Sequence, residues 1–75
     1  MKKYEVSREI YNPCAGVYIF DNNFFREVET DNIEKTISEW IGRELPNFEK
    51  NTFSDGSVEY IFDLPRKVRY TFNIV

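Results

Sequence analysis

The sequence predicts an α+β domain of order βββ-α-βββ, with one helix packed on a curved, mostly antiparallel sheet. Three observations point there. Residues 30–46 place apolar side chains at helical spacing, the flanking runs alternate with a period of two or are too short for helices, and turn-forming residues punctuate those runs. Seventy-five residues leave no room for a second core, so one domain over residues 2–75 is expected.

Residues 3–10 read as a first strand, with Tyr4, Val6 and Ile10 on one face and Lys3, Glu5, Ser7 and Glu9 on the other. Arg8 interrupts the apolar face, a device that edge strands use against pairing with other chains. Asn12-Pro13-Cys14-Ala15-Gly16 is a turn by chemistry: Asn caps locally, Pro fixes φ and Gly permits positive φ. Val17 to Phe20 form a short apolar run expected to be a strand covered on both faces, and Asp21-Asn22-Asn23 a second turn. Residues 24–29 are the third strand. There Phe24, Arg26 and Val28 oppose Phe25, Glu27 and Glu29, and the pattern leaves open which set faces inward.

The helix is expected to take Asp31 as N-cap, with Glu34 as its capping-box partner, and to stop at Glu44 or Leu45 because Pro46 disfavours helical geometry before it. Ile33, Ile37, Trp40 and Ile41 share one apolar face, and Glu39 precedes Arg43 by one turn in the order that favours an ion pair. Beyond it, Asp55-Gly56 marks a two-residue type I′ hairpin that opposes Phe53 to Val58, Asn51 to Tyr60 and Glu49 to Phe62. The next turn, around Leu64-Pro65-Arg66-Lys67, is given an odd number of residues. That sets Phe62 against Tyr70, Tyr60 against Phe72, Val58 against Ile74 and Asp63 against Arg69. Six strands make a sheet about 25 Å across, while one helix covers about 10–12 Å. Either the sheet curls strongly around the helix toward a half-barrel, or its uncovered aromatic surface meets another molecule, a partner or a second copy in a homodimer formed through the sheet.

Composition bounds the chemistry. The chain has no His, so triads, His-based zinc sites and imidazole acid–base catalysis are excluded. Cys14 stands alone, without a resolving thiol or an activating base, and is read as a small buried or turn residue in a reducing compartment. No apolar run is long enough for a membrane span, and the first residues lack a signal-peptide pattern, so the cytoplasm is the expected address. Asp21-Asn22-Asn23 lacks the later bidentate Glu of a calcium loop. No cofactor and no enzymatic activity are expected. Thirteen acidic residues against ten basic ones give a net charge of −3, which disfavours wholesale phosphate binding.

Two charge clusters remain. Glu27, Glu29, Asp31 and Glu34 form a run with no basic residue among them, suited to docking on a basic protein surface or to imitating a phosphate backbone. Arg66, Lys67 and Arg69 adjoin an aromatic strand and offer the alternative, a single-stranded nucleic-acid site with exposed sheet aromatics. Tyr60, Phe62, Tyr70 and Phe72, however, share the face expected under the helix. The blocks NPCAG and EVETDN, followed by a helix, an acidic-glycine turn and a terminal YTF strand, resemble those of short uncharacterised proteins of bacterial mobile elements. A compact acidic domain of this size is also similar in kind to phage and plasmid inhibitors of host defence, including anti-CRISPR proteins. That resemblance implies a non-enzymatic inhibitor that docks on a nucleic-acid-binding effector. The acidic run is the surface expected to make the contact.

Overall fold

The computed structural model describes residues 1–63 and 66–75. The elements run β1 (Lys2–Asn12), β2 (Val17–Thr30), α1 (Ile33–Ile41), β3 (Phe48–Thr52), β4 (Val58–Asp63) and β5 (Lys67–Ile74). Their sheet is antiparallel throughout, in the order β2-β1-β5-β4-β3. The α+β class with a single helix holds, but the order is ββ-α-βββ, with five strands in place of six.

The missing strand boundary is the Asp21-Asn22-Asn23 segment. It is an irregularity within β2: Ser7 pairs with Phe25 and Glu9 with Phe20, so residues 21–24 bulge opposite Arg8. Arg8 draws Asp21 into the sheet, its Nε donating to the carboxylate at 2.9 Å, and the chain continues straight on. β1 lies between β2 and β5, so the inward charge of Arg8 is no edge-strand guard. Its guanidinium stacks over Phe24 at 4.5 Å and turns its polar end to Asp21. The turn at residues 13–16 forms as expected, with Asn12 Oδ1 accepting from the Cys14 and Ala15 amides and Gly16 at φ 70°.

The helix is shorter than its periodicity suggests. Asn32 replaces Asp31 as N-cap, accepting from the Lys35 amide at 3.1 Å, and the buried Thr30 hydroxyl accepts from the Asn32 amide and from Thr36. Glu34 makes no capping box; it accepts a hydrogen bond from the Tyr60 hydroxyl at 3.1 Å. The helix ends at Ile41, five residues before Pro46. Gly42 takes φ 76° and both its amide and that of Arg43 bond to the Ser38 carbonyl, a left-handed C-cap that Gly adopts without steric cost. Arg43 thus falls outside the helix and makes no ion pair with Glu39.

Both later registers differ from expectation. Asp55 keeps negative φ and only Gly56 is positive, at 92°, so type I′ geometry is excluded. The Asp55 carboxylate instead accepts from the Ser57 amide, and Phe53 bonds to Ser57 across a longer loop. The pairing moves by one residue, to Phe48↔Phe62 and Thr52↔Val58, which turns Phe48 toward the rings of Tyr60 and Phe62 at 5.3 and 5.6 Å. Between β4 and β5 the expected odd parity holds, but the pairing is two residues tighter: Phe62↔Val68, Tyr60↔Tyr70, Val58↔Phe72 and Asp63↔Lys67. Leu64 and Pro65 of that turn lie outside the described residues.

The core is one face of this sheet under α1. Val6, Ile37 and Phe72 are fully buried, and Tyr4, Phe24, Val58, Tyr60, Phe62 and Tyr70 nearly so. Trp40 is the helix's main contribution, stacked on Tyr70 and Phe72 and edge-on to Phe24, with centroids 5.4–6.1 Å apart. Phe24 settles the orientation of β2: the Phe24 set faces inward and Phe25, Glu27 and Glu29 face out. The Val17 to Phe20 run is not covered on both faces. Val17, Ile19 and Phe20 are about half exposed or more, because that end of the β1–β2 hairpin projects beyond the helix.

Candidate functional site

α1 covers one face of the sheet and leaves the other open. Pairing from Tyr4 and Val6 outward assigns to the open face Lys3, Glu5, Ser7 and Glu9 of β1, together with Phe25, Glu27 and Glu29 of β2. The bulge at residues 21–24 reverses the alternation, so Phe20, paired with Glu9, points the same way as Phe25. These two phenylalanines are 62% and 57% exposed on the edge strand. Without the bulge one of them would turn inward.

The expected acidic run is only partly assembled. Glu27 and Glu29 share the open face, whereas Asp31 lies in the β2–α1 loop and Glu34 belongs to the helix layer. There Glu34 is held by Tyr60 and stands 4.0 Å from Lys50. The sheet supplies a different third member. Glu5 is the direct cross-strand partner of Glu27, with Lys3 opposite Glu29. Like charges directly opposed cost stability, and none of these four side chains is ion-paired among the described residues. Two exposed rings and a frustrated carboxylate pair therefore occupy one surface.

The alternative basic cluster comes apart as a free patch. Arg69 is taken by Glu9 at 2.7 Å and approaches Glu59 at 3.8 Å, with its guanidinium 4.1 Å above the Tyr18 ring. Lys67 stands 5.9 Å from the Tyr11 ring centre, and neither it nor the exposed Arg66 has a charged partner among the described residues. Tyr60, Phe62, Tyr70 and Phe72 are buried beneath the helix as expected, so no base can stack on them.

The remaining polar chemistry is structural. Partial burial opposes the charge on Arg8, but hydrogen bonds to Tyr70 and Asp21 outweigh it and hold its pKa above the ordinary value. The hydrogen bond from Arg8, helped by the Asn23 amide, keeps the Asp21 carboxyl below its usual range. Among the described residues no group of His, Cys, Asp or Glu is placed to hold a metal ion. Cys14 is exposed in its turn. No helix among them is long and apolar enough to cross a membrane.

The sequence placed Glu27 and Glu29 on one strand face, as the sheet has them, but did not single out Phe20, Phe25 or Glu5 beside them. Phe25 alternates with the two glutamates and so carried a signal. Glu5 became visible only through the register of β1 on β2. No family model, no curated protein and no solved structure matches this chain.

Proposed function

We propose that this chain is a non-enzymatic protein-binding module that engages a basic protein surface through the open face of β1 and β2. The observation that carries this reading is the coincidence of Phe20 and Phe25, both more than half exposed, with the opposed carboxylates of Glu5 and Glu27 and the neighbouring Glu29. Exposed rings supply apolar contact area that an isolated domain gains nothing by displaying. A cationic partner relieves the repulsion between the carboxylates and is drawn to a chain of net charge −3. A nucleic-acid-binding effector offers such a basic surface, and an inhibitor carried by a mobile element is the setting this chemistry suits.

A capture experiment from host extract tests it. The wild-type chain is expected to retain a basic protein that elutes as salt rises, and the Glu27→Lys/Glu29→Lys double variant to lose it while remaining folded. Phe25→Ala is expected to weaken capture at every salt concentration. Equal capture by the double variant overturns the proposed surface. A salt-sensitive gel shift with single-stranded DNA or RNA, abolished by Arg66→Ala, would instead favour the basic cluster.

A further inference from the structure

The helix side of the sheet carries a second site, distinct from the proposed docking face. α1 stops at Gly42, but β1 runs on to Asn12 and β5 begins at Lys67, so the inner face continues past the end of the helix. The concavity formed there encloses about 680 Å³. Its apolar lining includes Ile10, Ile41, Phe62 and Val68, with Pro46 from the segment that follows the helix. Among the described residues its charged lining is Arg8, Arg43 and Arg66, three of the chain's five arginines, with no carboxylate.

These three cations have different duties. Arg8 is bound to Asp21 and lies within reach of the Tyr70 hydroxyl at 3.4 Å, which fixes it as part of the wall. Arg43 and Arg66 are exposed and make no ion pair among the described residues. In a chain of net charge −3, two unpaired guanidinium groups beside an apolar floor are a local reversal of sign. A guanidinium presents a planar fork that matches a carboxylate. The volume lies within the range of about 300–1,000 Å³ typical of small-molecule sites, which are largely apolar with a few polar groups that fix orientation.

We infer that this groove binds a small amphipathic carboxylate, with its acyl or aromatic body on Ile10, Ile41 and Val68 and its anionic end held by Arg43 and Arg66. Neither half of the site suffices alone. Exposed arginines hold a bare anion weakly in water, and an uncharged chain gains only the apolar contact.

Trp40, the single tryptophan, reports on the site because it stacks on Tyr70, which lines the groove. Titration with decanoate below its micellar range is expected to change Trp40 emission saturably. Decan-1-ol, which has the chain without the charge, and acetate, which has the charge without the chain, should each bind about tenfold more weakly or worse. The Arg43→Glu/Arg66→Glu double variant should lose decanoate binding by at least about tenfold with its unfolding midpoint little changed, because both side chains are exposed. Amide shifts induced by decanoate should centre on Ile10 and Val68. Absence of a saturable response, equal binding of decan-1-ol, undiminished binding by the double variant, or shifts centred on Phe25 would each overturn the assignment.

Discussion

The two faces of this sheet are built from alternate residues of the same strands and have opposite tasks. Under α1, the rings of Tyr4, Tyr60, Phe62, Tyr70 and Phe72 form one network that Trp40 joins through Tyr70 and Phe72, and the part-buried charge of Arg8 is held between Phe24 and Asp21. On the open face, Arg69 is neutralised by Glu9 near the centre, while toward the β2 edge Phe20 and Phe25 stand exposed and Glu5 opposes Glu27. One face satisfies every group it buries. The other displays rings and carboxylates without partners along its β2 edge, and the difference separates the residues that make the fold from those offered for recognition.

The sharpest way to break that contrast is to truncate one ring on each face. Phe72 is fully buried and touches Tyr4, Trp40 and Tyr60, so Phe72→Ala is expected to cost about 3–5 kcal/mol. Phe25→Ala should stay within about 0.5 kcal/mol of wild type. Urea unfolding followed by Trp40 emission measures both. A 75-residue domain has about 4–11 kcal/mol to lose, so Phe72→Ala approaches outright unfolding, and Ile37→Val, expected to cost about 0.5–1.5 kcal/mol, provides a measurable core reference. A Phe25→Ala variant as damaged as the core variants would mean that the open face also belongs to the folding core.

A smaller effect joins the helix to the buried face. Burial, and then the hydrogen bond to Glu34, push the Tyr60 hydroxyl pKa well above its ordinary value. A phenol with a raised folded pKa contributes stability that is fully present below its unfolded pKa of about 10 and is lost as pH climbs above that. Tyr60→Phe is expected to cost about 1 kcal/mol at neutral pH, where the hydrogen bond is lost. It should also flatten the fall in stability above about pH 10. Urea midpoints across pH 7–11.5 check both parts, and an unchanged alkaline slope would remove Tyr60 as its source.

How much of this was legible in the sequence divides along physical lines. Period-two alternation identified the faces of β1, β4 and β5, and the spacing of Ile33, Ile37 and Trp40 identified the helix's buried side, because both depend on local geometry alone. The errors came where a local signal met a competing one, local or from a neighbouring strand. Pro46 announced a stop for the helix, but Gly42 provided an earlier one by taking a left-handed conformation. Asp55-Gly56 announced a type I′ turn, but the observed register is shifted by one residue and brings Phe48 onto Tyr60 and Phe62. Asp21-Asn22-Asn23 announced a break, but Arg8 on the neighbouring strand turned it into a bulge. At the proposed site the glutamates were visible and their arrangement was not, since cross-strand opposition depends on a register that no single strand encodes. The groove was invisible for the same reason: Arg8, Arg43 and Arg66 are far apart in the chain.

The smallest predicted effect has the opposite sign and bears most directly on the contrast between the faces. Glu27→Lys replaces an opposed pair of like charges by a pair of unlike ones across β1 and β2. Cross-strand charge pairs are worth roughly 0.2–1 kcal/mol, and solvent screening at an exposed edge places this one at the low end. The variant should therefore be more stable than wild type by a few tenths of a kcal/mol at low ionic strength, and the gain should shrink as salt is raised past about 0.15 M. A mutation that stabilises the domain while abolishing capture of its partner would show that the open face gives up folding stability to keep a binding surface. Precise urea midpoints at two salt concentrations, with Glu29→Lys as the control that places a cation opposite Lys3, distinguish the cases. The control should lose stability where Glu27→Lys gains it. If both variants shift in the same direction, net charge governs the effect, and the opposition of Glu5 and Glu27 no longer marks this face for recognition.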